Sequence, residues 1–279
     1  MTGAEAAQVV LRLDGITKTF GTLVANDNVS LALAKGEVIA LLGENGAGKT
    51  TLMNILFGQY TADAGTVEVF GQRLPPGTPR AALEAGVGMV HQHFTLADNL
   101  SVLDNIVLGA ERLWSARSDR RGARARVTAL AERFRLRVDP DARVGALTVG
   151  ERQRVEILKA LYRDARILIL DEPTAVLTPQ ETEDLFGTLR QAIAQGLSVV
   201  FISHKLHEVM SIAHRVLILR HGKLVAERRV DETGPRELAS LMVGAEVSAP
   251  AVAPARPGAS ILHLEAVSTP DRGNAPGLK

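Results

Sequence analysis

A glycine-rich loop between an apolar strand and a helix is the feature that most constrains the fold of this chain. Residues 41–52 read LLGENGAGKTTL and contain the pattern G-x-x-x-x-G-K-[ST]. The apolar run Val38 to Gly43 predicts a buried parallel strand before the loop. After it, Leu52, Ile55 and Leu56 recur at helical spacing, and this helix would direct its positive end at the loop. The arrangement predicts a phosphate-binding site in an α/β domain.

The loop carries the candidate ligands of a nucleotide. Lys49 would place its charge at the β- and γ-phosphates, Thr50 would offer a hydroxyl to Mg²⁺, and Thr51 would reach a phosphate oxygen. The glycines let the backbone curl so that several N–H groups point inward. The predicted nucleotide-binding residues of the loop are Gly43, Glu44, Asn45, Gly46, Ala47, Gly48, Lys49, Thr50 and Thr51.

Two further apolar runs predict strands of the same sheet. They are ILILDEP, Ile167 to Pro173, and SVVFISH, Ser198 to His204, with a predicted helix over Pro179 to Ala194 between them. Strands that alternate with helices indicate a mainly parallel sheet. Asp171 and Glu172 would therefore lie at its carboxyl edge, where α/β sheets bind ligands.

These two carboxylates suit phosphoryl transfer, because that reaction needs mainly positioning and neutralisation of charge. Asp171 would hold Mg²⁺ through water and Glu172 would polarise an attacking water, although a solvated pair of loop carboxylates is the alternative. His204 would donate a hydrogen bond to the γ-phosphate, although a lone histidine is often structural. Gln92 follows another short strand and indicates nothing by itself. The histidines on either side of it lack ligand spacing and predict no metal site.

The segment LTVGERQRVEILKAL, Leu147 to Leu161, predicts a helix with a second anion site at its start. Gly150 would precede this helix, and Thr148 and Gly150 would offer a hydroxyl and backbone N–H groups. Since one phosphate is already held at Lys49, the second site predicts that a neighbouring copy completes the nucleotide site.

A change in composition after residue 245 predicts a domain boundary. Residues 246–259 are rich in alanine and proline, which is typical of a semi-stiff linker. The run Ile261 to Ser268 matches Val10 to Thr17 by identity or conservative exchange at every position. Either the two strands are alike by chance, or residues 260–279 begin a second copy of a domain that spans 8–245.

The totals exclude several classes of protein. The 279 residues include no cysteine, which rules out disulfides and Cys-ligated zinc and fits a reducing compartment. The net charge of +1 gives no strong field toward nucleic acid or lipid. No run approaches the roughly 18 apolar residues of a membrane span, and the first residues show no signal-peptide pattern.

Residues from about 95 to 160 predict a helical insert, whose basic run RSDRRGARARV predicts a solvated helix face rather than a nucleic-acid site.

Five motifs in this order resemble those of an ATP-binding cassette (ABC) ATPase over about residues 8–245. Their counterparts in that family are Walker A (Gly43 to Thr51), the Q-loop (Gln92), the signature motif (Leu147 to Glu151), Walker B (Asp171) followed by the catalytic glutamate (Glu172), and the switch histidine (His204). Phe20, in KTFG, matches the aromatic residue that stacks on adenine. The resemblance implies ATP and Mg²⁺ as cofactors.

The resemblance also implies a fold and a set of roles. The fold would be a P-loop NTPase cassette of the α/β class, with a mainly parallel core sheet, an N-terminal antiparallel β part and a helical insert subdomain. The implied catalytic residues are Glu172, His204 and Gln92, the implied metal ligands are Thr50, Gln92 and Asp171, and the implied nucleotide ligands outside the loop are Phe20, Thr148 and Gly150.

Two motifs depart from the common form of the family. The signature motif has Val149 where glycine is usual, and valine does not easily adopt a positive φ. The loop after Walker B has Thr178 where an aspartate usually helps to link the two nucleotide sites. Both departures resemble the branch that powers import of simple sugars and nucleosides. That branch implies permease subunits, a solute-binding protein, a second cassette in the same chain or in a homodimer, and a place at the cytoplasmic face of the cell membrane, without nucleic acid.

Three alternatives fit part of the sequence. A soluble twin-cassette ABC ATPase acting on ribosomes also has two cassettes, but its linker is long, charged and helical. A P-loop kinase would have no use for LTVGERQR. A DNA-repair ATPase would have a very long coiled coil between Walker A and the signature motif. The importer therefore fits the sequence best.

Overall fold

The computed structural model describes residues 8–92, 94–110, 119–244, 263 and 265–268. The chain divides into a unit of residues Met1–Val247 and a unit of residues Ser248–Lys279. The predicted linker, 246–259, lies outside the described residues, and so does most of the predicted repeat at 260–279. The five described residues of that repeat are not in a strand. The domain boundaries and the repeat therefore stay predictions.

The described residues form two sheets and a set of helices around them. The strands are β1 (Val9–Phe20), β2 (Leu23–Ala34), β3 (Val38–Leu42), β4 (Ala64–Val69), β5 (Gln72–Arg73), β6 (Val87–Val90), β7 (Ile167–Asp171), β8 (Ser198–Ile202), β9 (Arg215–Arg220) and β10 (Lys223–Arg229). The helices are α1 (Lys49–Leu56), α2 (Pro79–Glu84), α3 (Val102–Val107), α4 (Arg120–Arg133), α5 (Val149–Tyr162), α6 (Pro179–Ala194), α7 (Leu206–Ile212) and α8 (Pro235–Val243).

The larger sheet has the order β10-β9-β3-β8-β7-β6 and is parallel except for β10 at its edge. Strands β3, β7 and β8 are buried at every residue, as is typical of parallel strands that are covered on both faces. All three were predicted from their apolar runs, and the structure confirms them. Their carboxyl ends lie at one edge of the sheet, so this edge collects the Gly43–Gly48 loop, Asp171, Glu172 and His204.

The smaller sheet is antiparallel, with the order β2-β1-β4-β5. It uses the N-terminal part of the chain, which confirms the antiparallel β part expected there. Strand β1 ends at Phe20 and turns directly into β2, which begins at Leu23. This turn brings Phe20 to the rim of the site described below.

Helix α1 begins directly at the glycine-rich loop. Its first residue is Lys49, and its N-cap is Gly48, whose φ is 100°. Leu52, Met53, Ile55 and Leu56 are buried against the sheets, and the helix gives way to Gly58, which has a φ of 80°. The predicted order of strand, loop and helix, with a stop at Gly58, is confirmed.

Helices α3, α4 and α5 occupy the region predicted as a helical insert. Helix α4 carries the described part of the basic run, from Arg120 onward, and it buries only Ala123 and Val127 of its fourteen residues. Its arginines pair with acids of neighbouring segments, as Arg120 does with Asp104. The interpretation of this run as a solvated helix face is therefore confirmed. No helix within the described part of the chain is long and apolar enough to cross a membrane.

Candidate active site

A cavity of about 540 Å³ opens at the carboxyl edge of the larger sheet. Most of the predicted site residues line it: Phe20, Asn45, Gly46, Ala47, Gly48, Lys49, Thr50, Thr51, Gln92, Asp171, Glu172 and His204. Leu23 and Ala25 also line the cavity, although the sequence did not single them out. The structure thus brings residues from five separate segments of the chain to one place.

Close packing explains two glycines of the loop. A Cβ atom on Gly48 would lie 2.1 Å from the carbonyl oxygen of Ala25, and φ of +100° at Gly48 already disfavours other residues. A Cβ atom on Gly43 would lie 2.3 Å from the carbonyl oxygen of Leu219. The loop therefore fits between β2 and the end of β9 only because these two positions lack side chains.

The side chain of Lys49 is hydrogen-bonded to the same loop that would bind the phosphates. Its Nζ donates hydrogen bonds to the carbonyl oxygens of Gly43, at 2.7 Å, and Glu44, at 2.9 Å. Burial lowers the pKa of Lys49, whereas the nearby Glu172 and Asp171 act in the opposite direction. Both hydrogen-bond partners are neutral carbonyls, so Lys49 forms no ion pair within the described residues and can exchange these partners for an anionic ligand. This is the role predicted for Lys49 toward a phosphate.

Asp171 is the last residue of β7, and only 8% of it is exposed. Burial, followed by the charge of Glu172, raises the pKa of Asp171, while His91 and Lys49 lower it. A nearby cation would relieve the cost of this buried carboxylate. Asp171, Thr50 and Gln92 share the cavity and offer oxygen donors, which suit Mg²⁺ when phosphate oxygens and waters complete its shell. The three residues therefore fit the ion that the resemblance implies.

Glu172 is held from both sides by the other two predicted catalytic residues. Its Oε1 lies 3.0 Å from Nδ1 of His204, and its Oε2 accepts a hydrogen bond from Nε2 of Gln92 at 3.4 Å. The backbone of Glu172 has a φ of 44°, which is uncommon for a residue with a side chain and is often found at functional sites. The backbone N–H of Glu172 donates to the carbonyl oxygen of Ile202 at 3.0 Å, so the pairing of β7 with β8 continues up to the carboxylate.

Phe20 presents an exposed ring at the rim of the cavity, with 45% of the residue accessible. Tyr60 meets this ring edge-on at a centroid distance of 5.7 Å, and Nζ of Lys18 lies 5.4 Å from its centroid. Asp63 in turn accepts a hydrogen bond from Lys18 at 2.8 Å. The ring is therefore fixed from two sides while it remains open to a ligand, as an adenine-stacking residue would be. Only Phe20 was predicted from the sequence; Tyr60 was missed.

Thr148 and Gly150 lie outside the cavity, at the start of α5. The prediction that Gly150 precedes the helix is wrong, because the helix begins at Val149 and Thr148 is its N-cap. The Thr148 hydroxyl accepts from the N–H of Glu151, whose carboxylate accepts from the N–H of Thr148. Val149 is an ordinary first helical residue, so glycine is not needed at that position.

The start of α5 lies next to the carboxylate of Glu181, a contact that was not predicted from the sequence. Glu181 accepts from the N–H and the hydroxyl of Thr178, both at 2.9 Å, and lies close to Gly150. The hydrogen bonds from Thr178 lower the pKa of Glu181. A Cβ atom on Gly150 would lie 2.5 Å from Oε1 of Glu181, so the flexible end of that side chain would have to move if Gly150 were replaced. Thr178 also caps α6, and so the unusual threonine has a structural role of its own.

Comparison with known proteins decides the family. The family model described as ABC transporter matches residues 26–175, which is more than half of the chain. The chain belongs to the ABC transporter family. The match spans the Walker A loop, Gln92 and the Walker B residues at the end of β7.

Relatives with curated names are import proteins of this family. The chain is 47% identical to the nucleoside import ATP-binding protein NupA of Lactococcus lactis over 243 residues, which are 87% of this chain and 48% of NupA. It is 45% identical to the guanosine import ATP-binding protein NupO of Bacillus subtilis over 95% of this chain and 52% of NupO. It is 44% identical to the ribose import ATP-binding protein RbsA 2 of Burkholderia cenocepacia over 92% of this chain and 52% of that protein. The chain spans about half the length of the curated relatives it matches.

Solved structures agree with the family. The crystal structure of the ADP conformation of MJ1267, an ATP-binding cassette of an ABC transporter, superposes with a TM-score of 0.73 at 26% identity. The superposition covers 84% of this chain and 95% of MJ1267. The predicted α/β P-loop cassette is thereby confirmed as the fold of this ABC domain. Membership of the family also argues against the P-loop kinase.

Proposed function

We propose that this chain is the ATP-binding and ATP-hydrolysing part of an ABC importer that takes up a nucleoside or a simple sugar. The observation that supports hydrolysis most directly is the carboxylate of Glu172, which lies between Gln92 and His204 in the same cavity as Lys49. A base held by two polar neighbours beside a phosphate-binding loop has the arrangement that phosphoryl transfer to water needs.

The chain's own residues supply one side of the site, which binds the phosphates and orients the water. The N–H groups of the loop and of the first turn of α1 surround the phosphates, and the Nζ atom of Lys49 exchanges its two carbonyl partners for phosphate oxygens. Phe20 stacks on the base. Glu172 accepts a hydrogen bond from the attacking water and then its proton, while His204 and Gln92 fix the two carboxylate oxygens. A bound Mg²⁺ would supply neutralisation of the phosphate charge between Thr50, Gln92 and Asp171.

A second cassette would complete the site. The N-terminus of α5, with Thr148, lies outside the cavity that holds Lys49, so another copy would have to supply such a helix end to that cavity. Val149 at the start of α5 is 37% exposed, and Val176 in the loop after Walker B is 60% exposed. Apolar side chains of this kind are suited to being covered by another protein surface. The second cassette would come from the same full-length chain or from a homodimer.

The partners and the solute follow from the relatives. NupA and NupO are named for import of nucleosides and guanosine, and the RbsA protein for ribose. This chain would accordingly act at the cytoplasmic face of the membrane with permease subunits and a solute-binding protein. We place a nucleoside ahead of a simple sugar because NupA and NupO have the higher identities among these three.

Two measurements test the proposal. Membrane vesicles that contain the full-length protein, its permease and its solute-binding protein should take up labelled guanosine in an ATP-dependent manner and should take up ribose more slowly. Uptake that does not depend on ATP would overturn the assignment of this chain to an importer.

For the 279-residue chain alone, the specific ATPase activity should rise with protein concentration, because two copies form each site. A full activity that is independent of concentration would overturn the composite site.

A further inference from the structure

We propose that Glu208 is a positioning residue that sets the distance between Glu172 and His204, and so the rate of hydrolysis. This inference rests on the proposed function, because it concerns the same ATPase reaction. Glu208 lies on α7 and is buried below the surface of the cavity, whose lining does not include it. It would therefore act through other residues and not on the nucleotide.

Three donors converge on the Glu208 carboxylate. The hydroxyl of Thr174 donates to Oε2 at 2.5 Å, and the hydroxyl of Ser203 donates to the same oxygen at 3.4 Å. Nζ of Lys205 lies 3.0 Å from Oε1. Lys205 also donates to the carbonyl oxygen of Thr174 at 2.9 Å, and its backbone N–H donates to the hydroxyl of Ser203 at 3.0 Å.

These partners flank the two catalytic side chains in the sequence. Thr174 lies two residues after Glu172, and Ser203 and Lys205 lie on either side of His204. The loop after β7 and the loop after β8 are thus joined at two points. One is the hydrogen bond from the N–H of Glu172 to Ile202, and the other is the Glu208 carboxylate. Between these two points the carboxylate of Glu172 lies 3.0 Å from His204.

A carboxylate is needed at this position for a chemical reason. The Lys205 ammonium can only donate, and the hydroxyls of Thr174 and Ser203, which already accept from Lys205, direct their protons at the carboxylate, which is purely an acceptor. An amide of the same shape would keep one acceptor oxygen and would leave either the ammonium or the hydroxyl protons without an acceptor. Because the site is buried, this mismatch would not be relieved by water. The loops would then move apart, and the distance from Glu172 to His204 would no longer be fixed.

The test is the steady-state ATPase kinetics of Glu208→Gln in the full chain. We expect kcat to fall by about tenfold, because small displacements of catalytic groups have large effects on rate. The KM for Mg-ATP should change less than about twofold, because Lys49 and its loop are not touched. In a His204→Ala background, the further change in kcat should be less than about twofold, since Glu208 acts through that residue.

A matched variant separates this effect from the general loss of a buried carboxylate. Glu37 has a side chain that is 12% exposed, against 10% for Glu208, and it pairs with Arg215 at 2.7 Å. It lies directly before β3, at the opposite edge of the sheet from the cavity. Glu37→Gln should be destabilised to a similar degree and should keep its kcat. If Glu208→Gln does not fold, Thr174→Val removes the main donor and should give the same loss of kcat that depends on His204.

Failure of the inference about Glu208 can be told apart from failure of the proposed function. An unchanged kcat, an equal loss in the presence and absence of His204, or an equal loss in Glu37→Gln would each overturn the role of Glu208. The proposed function itself is tested by Glu172→Gln. If that variant hydrolyses ATP normally, the ATPase site is wrong whatever Glu208 does. If it is inactive while Glu208→Gln is normal, only the inference about Glu208 is wrong.

Discussion

Oε1 of Glu172 lies 3.0 Å from Nδ1 of His204, and these two residues follow neighbouring parallel strands of the central sheet. Gln92, which follows a third strand of that sheet, reaches the other oxygen of the same carboxylate at 3.4 Å. The orientation of Glu172 thus depends on the sheet itself, whose strands β6, β7 and β8 lie side by side.

Glu172→Gln should bind ATP and hardly hydrolyse it. The amide keeps the shape of the side chain but does not accept the proton of the attacking water, and loss of a general base lowers kcat by about 10²–10⁴-fold. Binding of Mg-ATP by titration calorimetry should remain, since the loop and Lys49 are unchanged. Normal turnover by this variant would show that another group is the base.

Lys49→Ala should lose nucleotide affinity. A charge-assisted hydrogen bond contributes about 1.5–3 kcal/mol, which corresponds to a rise in Kd of about 10- to 100-fold. Lys35→Ala, at an exposed position in the turn before β3, removes the same charge and is the control. The Kd of Mg-ATP for the three proteins checks this, and equal values for Lys49→Ala and the control would contradict it.

Gly48→Ala should destabilise the fold as well as the site. The added Cβ atom would lie 2.1 Å from the Ala25 carbonyl oxygen at a φ of +100°, so we expect a loss in the free energy of unfolding of about 2 kcal/mol or more. Gly187→Ala is the matched control, because Gly187 lies inside α6 with no atom within 4 Å of its added Cβ. There we expect a gain of about 0.5–1 kcal/mol, as for glycine in a helix interior. Urea unfolding measures the change in the free energy of unfolding, which should be a loss for Gly48→Ala and a gain for Gly187→Ala.

Asp63 should make the stability of the β part sensitive to acid. Hydrogen bonds from the Lys18 side chain and from Thr19 lower the pKa of Asp63 from 3.8 to about 2. Since the folded state lowers this pKa, the stabilisation is present above a pH of about 4 and is lost as the pH falls toward about 2. Asp63→Asn should therefore show a smaller fall in Tm than the parent between these pH values. Glu68→Gln, on β4 of the same sheet, controls for the loss of one negative charge.

The elements that could be predicted from the sequence are those that a single segment specifies by its own residue pattern. The strands β3, β7 and β8 are continuous apolar runs because both of their faces are covered, and in the Walker A loop Gly43 and Gly48 have backbone too close for a side chain. Helix α6 was predicted with its bounds, since Thr178 and Pro179 mark its start.

Contacts between distant segments were not predictable in the same way. Glu181 and Glu208 are acids on helices, where most acids are solvated, and nothing in their own segments indicates a contact with Gly150 or Thr174. The start of α5 was misjudged by two residues for a related reason. Gly150 suggested a helix boundary, whereas it is the second residue of the helix and lies against the Glu181 side chain of α6.

The open ring of Phe20 has a consequence for nucleotide selectivity. A stacked ring recognises the face of a base and not its edges, and every base has such a face. The cavity residues nearest to Phe20 in the sequence, Leu23 and Ala25, have apolar side chains that offer no hydrogen bond to the edge of a base. Stacking on Phe20 would therefore accept guanine as well as adenine, so we expect GTP to compete with ATP for this site.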